Sequence, residues 1–360
     1  MKNNKNLKTW LNNMGLTHPL VIAGPCSAES EEQVLNIAHQ LKKTDATVFR
    51  AGIWKPRTRP GNFEGVGEIG LSWLKKAKEE TGLLTATEIA NPKHAELALK
   101  NDIDILWIGA RTTVSPFIVQ EIAEALQGTD KIVLVKNPVN PDLALWLGAV
   151  ERLYTSNIEK LGVIHRGFST YEKTKYRNNP EWQISIDLQN RFPDLPLILD
   201  PSHIAGRRDI IFDLCQTALD LNYNGFMIET HNNPDKAWSD ADQQITPEAL
   251  EDLTIKLKVR KQESSKEEYK NSLTTLRTQI DVVDNKILEI IGKRMDIVNR
   301  IGQLKRDNNV AILQSGRWNK ILDKMIKDGE DNKLSENFIL EMYKAIHQES
   351  INHQKKIVNK

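Results

Sequence analysis

The chain has only two cysteines, Cys26 and Cys215, far apart in sequence. No disulfide framework is expected, and a reducing, cytoplasmic compartment suits this usage. It also lacks any apolar run approaching the ~18 to 20 residues of a membrane span. The apolar stretch after the basic N-terminus, Pro19 to Gly24, is far shorter than a secretory leader core, so neither anchor nor leader is expected. Net charge is nearly absent, since 49 Lys+Arg against 48 Asp+Glu leave +1. A generally basic nucleic-acid binder is therefore excluded, and any cationic site must be local. What remains is ordinary globular composition, 39% hydrophobic and 27% charged, in 360 residues, enough for two or three domains.

Between residues 20 and 230 one theme repeats: a short apolar run, a polar or glycine-containing stop, then a longer amphipathic stretch. The runs are Leu20 to Gly24, Ala46 to Phe49, Leu83 to Thr87, Ile103 to Ile108, Lys131 to Val135, Leu161 to Ile164, Leu197 to Leu199 and Gly225 to Ile228. Near-continuous apolar runs read as strands covered on both faces, and the stretches between them suit crossover helices. Examples are Glu31 to Lys42, with Ser30 as N-cap, and Asp209 to Leu221, whose apolar face of Ile211, Leu214, Ala218 and Leu219 includes Cys215 as core packing. Eight parallel units in about 250 residues predict a closed (β/α)8 barrel over residues 1–260, rather than an open doubly wound sheet.

A charged stretch, 261–271, reads as a linker. Beyond it, 272–360 reads as helices alone: Leu273 to Lys305, about Gly316 to Lys327 and about Ser335 to Gln354. The first carries a heptad-like seam of Leu276, Ile280, Val283, Ile287, Ile290, Ile297, Ile301 and Leu304. One small three-helix bundle cannot bury so long a seam, so a homodimer through this domain is expected.

In such a barrel the chemistry belongs to the C-terminal strand ends. The residues there are Cys26, Arg50, Glu88, Arg111, Lys136, Arg166, His203 and Glu229. Polar strand ends are common singly, but this set is too uniform for that reading alone. Cys26, His203 and Glu229 become neighbours only when the barrel closes, and Asp240 in the following loop completes a mixed S, N, O donor set. That set is of mixed softness and suits a divalent ion: manganese, iron, cobalt or zinc. Arg50, Arg111, Lys136 and Arg166, with Lys55, Arg57 and Arg59 in a Pro/Gly-rich loop, converge on the barrel axis and point to anionic small molecules.

Gly24-Pro25-Cys26-Ser27-Ala28-Glu29-Ser30, Lys55-Pro56-Arg57-Thr58, Gly109-Ala110-Arg111, Asp200-Pro201-Ser202-His203 and Pro234-Asp235-Lys236-Ala237-Trp238-Ser239-Asp240 span about residues 18 to 260. In this order they resemble the motifs of the type I-beta 3-deoxy-D-arabino-heptulosonate 7-phosphate synthases. The resemblance implies condensation of phosphoenolpyruvate with erythrose 4-phosphate, the first step of the shikimate pathway. It implies that Cys26, His203, Glu229 and Asp240 bind the metal. Lys55, Arg111, Lys136 and Arg166 would hold phosphoenolpyruvate, with Arg50 close by, and Arg57 and Thr58 would hold the sugar phosphate. Arg59 departs from the serine usual there. Sister enzymes making an eight-carbon product share the barrel, but the Lys55 to Thr58 loop argues for the seven-carbon one.

In the tail, Arg294 shares its heptad position with Ile280, Ile287 and Ile301, which directs a guanidinium into the bundle, where an anion must meet it. At about 100° per residue, Lys305 lies within roughly 20° of Arg294 around the helix, while Arg277 is about 100° away and suits a different pocket. Ser350 and Gln354 share a face of the last helix, and Arg300 and Arg306 read as solvated. Residues 272 to 356 resemble the all-helical chorismate mutases. By that match Arg277, Arg294, Lys305, Arg317, Ser350 and Gln354 line the pocket, with Arg277 crossing to the partner protomer. Chorismate would rearrange to prephenate without a cofactor. Gln314, where an acidic residue is common, and Trp318, where a glutamate often meets the substrate hydroxyl, are departures. Prephenate is expected to inhibit the synthase through the mutase domain; the alternative is a tail that binds chorismate or prephenate without catalysis.

Overall fold

The computed structural model describes residues 7–56, 61, 63–171, 174–261, 263–313 and 315–358, except for the side chains at 315–317, 319 and 320. The chain divides into two compact units, Met1–Gln262 and Glu263–Lys360.

In the first unit eight parallel strands close into a barrel in sequence order: β1 (Leu20–Gly24), β2 (Val48–Arg50), β3 (Leu84–Ile89), β4 (Ile105–Ile108), β5 (Ile132–Lys136), β6 (Leu161–His165), β7 (Leu197–Leu199) and β8 (Gly225–Glu229). The ring is sealed by β1 on β8, with Leu20 opposite Gly225 and Gly24 opposite Glu229. Before the barrel lies α1 (Thr9–Asn12). Around it run α2 (Glu31–Leu41), α3 (Ile69–Thr81), α4 (Pro92–Lys100), α5 (Ala110–Thr113), α6 (Pro116–Ala125), α7 (Leu143–Thr155), α8 (Trp182–Arg191), α9 (Pro201–Ala205), α10 (Ile211–Asp220) and α11 (Pro247–Lys256). Ser30 caps α2 by accepting from the Gln33 amide at 3.1 Å. Cys215 is fully buried on α10, where burial pushes its thiol well up.

Because side chains alternate along a strand, the barrel has two cores. Leu20, Ile22, Val48, Ala86, Ile105, Trp107, Leu134, Ile164, Ile198 and Met227 fill the interior. The intervening residues, such as Val21, Phe49, Leu106 and Val163, pack beneath the helices. Trp10 of α1 joins the interior cluster and donates to the Leu161 carbonyl at 2.8 Å. No strand-period signal marks Trp10, and the sequence reading assigned it no role.

The second unit holds α12 (Glu267–Asp307), α13 (Ser315–Asp331) and α14 (Glu336–Val358). The helix expected from Leu273 begins at Glu267, inside the stretch read as linker. Glu267 and Glu268 lie in its first turn, where carboxylates complement the helix dipole. Met295, Val298 and Gly302 are the buried residues of α12. The seam residues Leu276, Ile280, Val283, Ile287, Ile290, Ile297 and Leu304 are about half exposed or more in the single chain.

Candidate active sites

The strand-end side chains follow from the two-residue period of the interior core. Arg50 lies two residues beyond Val48, Glu88 beyond Ala86, Lys136 beyond Leu134, Arg166 beyond Ile164, Asp200 beyond Ile198 and Glu229 beyond Met227. Each inherits the inward direction, one layer above the apolar fill. Trp107 is a floor for three of them. The Arg50 guanidinium sits 4.8 Å and the Lys136 ammonium 5.8 Å from its ring centroid, and its indole N–H donates to Glu88 Oε2 at 3.1 Å. Gly24 is required by close approach: at φ +146° it runs so near β2 that a Cβ would meet the Arg50 carbonyl oxygen at 2.0 Å.

One cluster gathers Cys26, Glu229 and Asp240, whose donor atoms all lie within 4.8 Å of one another. Cys26 Sγ donates to Asp240 Oδ2 at 3.1 Å, and His203 Nε2 is 3.8 Å from Glu229 Oε1. The ring closure thus brings three of the four expected donors together, with His203 beside Glu229 at the edge of the group. Cations surround them: Arg50 Nη1 donates to Glu229 Oε1 at 2.9 Å, Arg177 Nη1 to Asp240 Oδ1 at 2.9 Å, and Lys55 Nζ to Cys26 Sγ. Burial first, then the Glu229 carboxylate, pushes the Cys26 thiol up to about 12. His203 and Arg177 hold the Asp240 carboxyl well below its usual range against the cost of burial. A divalent ion among these donors would invert the thiol's preference and favour thiolate. Sulfur, imidazole and two carboxylates therefore fit a borderline divalent metal.

Several residues with no role assigned from the sequence hold this cluster. Asp200 caps α9 and accepts from the His203 amide at 3.1 Å and from Lys136 Nζ at 2.7 Å. Gln243 is buried and donates to Glu229 Oε2 at 2.6 Å while accepting from Arg177 at 2.6 Å. Gln244 accepts from the Cys26 amide at 2.9 Å and donates to the Ser239 carbonyl at 2.9 Å. The inward period would have found Asp200. No periodic signal marks the two glutamines, because Gln243 ends a single 3₁₀ turn and Gln244 follows it.

Beside the cluster is a cavity of about 210 Å³ lined by Glu88, Arg111, Lys136, Arg166, Arg177 and His203, among others. It brings together three of the expected anion-binding cations. Lys55 and Arg50 stand at the donor cluster instead, within reach of the Cys26 carbonyl at 3.1 and 3.2 Å. Asn178, a residue not foreseen, accepts from Arg166 Nη1 at 2.8 Å. Arg57, Thr58 and Arg59 lie outside the described residues.

In the helical unit Arg294, Lys305, Ser350 and Gln354 line one cavity of about 150 Å³ with Val298, Ile301, Ile312, Trp318, Ile321 and His347. Arg294 Nη1 donates to Ser350 Oγ at 2.6 Å, and Lys305 donates to the Ile312 carbonyl. Arg294 and Lys305 meet there because three helical turns separate them. Arg277 is exposed, 17 residues or about 25 Å along α12 from Arg294, and does not line this cavity. The Arg317 side chain and Gln314 lie outside the described residues.

With these geometries in place, comparison gives a consistent picture. A family model described as the DAHP synthetase I family matches residues 11–267, and one described as chorismate mutase type II matches residues 276–355. A phospho-2-dehydro-3-deoxyheptonate aldolase of Thermotoga maritima is 33% identical over 242 residues, covering 66% of this chain and 68% of its own. A 2-dehydro-3-deoxyphosphooctonate aldolase of Desulfatibacillum aliphaticivorans is 28% identical over 273 residues, covering 68% and 93%. The crystal structure of the Thermotoga maritima aldolase superposes with a TM-score of 0.60 at 30% identity, over 66% of this chain and 67% of that one. A truncated form of the 3-deoxy-D-arabino-heptulosonate 7-phosphate synthase from the same organism gives 0.58 at 28%, over 66% and 84%.

Proposed function

Because the chain belongs to the DAHP synthetase I family and carries a type II chorismate mutase domain behind the barrel, we propose that it performs two reactions. One condenses phosphoenolpyruvate with erythrose 4-phosphate, and the other rearranges chorismate to prephenate. The observation that carries the first is the convergence of Arg111, Lys136 and Arg166 on one cavity beside a Cys26, His203, Glu229 and Asp240 donor set. The cations match the phosphate and carboxylate of phosphoenolpyruvate. Asp200 aims Lys136 inward through the 2.7 Å contact. Arg57 and Thr58 are proposed to hold the sugar phosphate, and Lys55 to hold phosphoenolpyruvate with the other cations.

The residues fit a divalent metal, and we propose Cys26, His203, Glu229 and Asp240 as its ligands, with manganese the first choice and iron, cobalt or zinc open. When bound, such an ion supplies Lewis acidity toward the sugar aldehyde. Asp200 fixes the His203 ring so that Nε2 turns to the cluster, and Gln243 orients Glu229.

For the second reaction, Arg294 would hold a chorismate carboxylate. Lys305 and Gln354 would face the ether oxygen, which gains negative charge as the bond breaks. Arg317 and Ser350 are proposed to complete the pocket, and Arg277 to reach the site of a second protomer. The exposed seam on α12 supports a homodimer. No helix among the described residues is long and apolar enough to cross a membrane, and cytoplasmic placement is part of the proposal. Prephenate is proposed as a feedback inhibitor of the synthase acting through the mutase unit.

Assays of both reactions on the purified full chain, with metal analysis, test the assignment. Synthase activity without chorismate turnover would favour a helical unit that only binds chorismate or prephenate. Inhibition by prephenate that survives truncation near Lys261, or no inhibition at saturation, would remove the feedback role.

A further inference from the structure

Two aromatic rings cover the cavity of the helical unit. Trp318 on α13 and His347 on α14 stack with centroids 4.1 Å apart and planes 23° from parallel. Both line the cavity that holds Arg294, Lys305, Ser350 and Gln354. His347 precedes Ser350 by three residues and Gln354 by seven, so the three share one face of α14. The stack fixes the imidazole plane from a second helix, which a lone histidine on a helix surface would lack.

The donor and acceptor inventory of this lining is lopsided. Arg294 and Lys305 only donate, and among the described lining side chains no carboxylate is present. Ser350 is already committed, accepting from Arg294 at 2.6 Å and donating to the Ile346 carbonyl at 2.7 Å. Two acceptors among the described lining side chains have no hydrogen bond: Gln354 Oε1, which is buried, and a ring nitrogen of His347, which lines the cavity. Burial first, then the Arg294 charge, pushes the imidazole below its usual value. Among the described lining residues the charged groups are Arg294 and Lys305 from α12, while α13 contributes Trp318 and Ile321. A neutral ring keeps one nitrogen lone pair.

Chorismate brings two carboxylates for the cations and one ring hydroxyl whose proton needs an acceptor. Resting on the mutase reading above, we infer that His347, held in plane by Trp318, is a specificity-determining residue that accepts the hydrogen bond of that hydroxyl. Gln354 then keeps its amide N–H for the ether oxygen. Trp318 acts as a positioning residue, through His347.

The test compares chorismate with its analogue in which hydrogen replaces the ring hydroxyl, using the full chain. The quantity read is the ratio of kcat/KM for the two substrates, or the ratio of Kd where the protein binds without turnover. His347→Leu should lower the ratio roughly tenfold, with the analogue itself changed less than threefold. His347→Gln, which keeps an acceptor, should restore at least half of the loss on a logarithmic scale. Trp318→Ala should lower the ratio and Trp318→Phe should preserve it. Equal losses for both substrates in His347→Leu would mean a purely structural role and overturn the inference, as would an unchanged ratio. A wild-type chain that neither turns over nor binds chorismate would instead remove the mutase reading on which it rests.

Discussion

Asp200 and His203 are joined twice: the His203 amide donates to Asp200 Oδ1 at 3.1 Å, and the ring Nδ1 lies 2.8 Å from Oδ2. The first contact is the N-cap of α9, and the second sets the imidazole tautomer, since an ionised carboxylate accepts only. Interaction with His203 and Lys136 holds the Asp200 carboxyl well below its usual range despite complete burial. Nε2 is then free to face Glu229.

Replacing that acceptor tests the arrangement. Asp200→Asn should weaken divalent-metal binding by about 10- to 100-fold, the usual effect of losing such a partner. Titration of the full chain with manganese, alongside circular dichroism to verify folding, reads it. Wild-type affinity in a folded variant would contradict the proposed role of His203.

Cys26→Ala should abolish heptulosonate phosphate formation and reduce bound metal, because the thiol is the one sulfur donor of the cluster. Chorismate turnover should stay within about twofold, since the substitution lies in the other compact unit. Retention of both metal and synthase activity would eliminate the ligand assignment.

Arg294→Ala removes a charge-assisted contact in a half-buried pocket, and mutase kcat/KM should fall at least ~100-fold. Loss of less than threefold would sink the carboxylate clamp. Arg277→Ala should be impaired too, and mixing the two inactive proteins should return part of the activity, because one of the two hybrid sites in a heterodimer is intact. Demonstrated subunit exchange without recovery would exclude a shared site.

The barrel should also lose stability in acid through His165, which lies under the helices beside Tyr223. Its Nδ1 is 2.7 Å from the Tyr223 hydroxyl, which donates to Ser185 Oγ at 2.7 Å, and Ser185 donates to the Trp182 carbonyl at 2.8 Å. The direction of that chain leaves the proton on His165 Nδ1. Burial pushes the ring down from 6.5 to about 4. Between these values the unfolded chain binds more protons than the native one. The contribution is therefore complete above about pH 6.5 and is lost as pH falls through about 4. Denaturant titrations at pH 7 and 4.5 should show the wild-type barrel losing on the order of 2 kcal/mol more than His165→Gln. Equal losses would show that His165 is not the group responsible.

The amino-acid sequence by itself determined the eight parallel strands, the helical tail and which polar residues end the strands. These features are local: apolar runs set the strands, a two-residue period sets which side chains face inward, and 100° per residue sets Arg294 and Lys305 on one face. Tertiary structure decided the rest. Cys26 and Asp240 are 214 residues apart, and only the pairing of β1 with β8 brings Sγ and Oδ2 to 3.1 Å. Gln243, Gln244 and Asn178 carry no periodic mark, since side chains on single turns and loops are placed by what they meet and not by a repeat. The Trp318–His347 stack joins two helices and belongs to neither helical pattern. Trp10 likewise gains its role only when a closed barrel offers an interior end to cover, a surface that does not exist until all eight strands have paired.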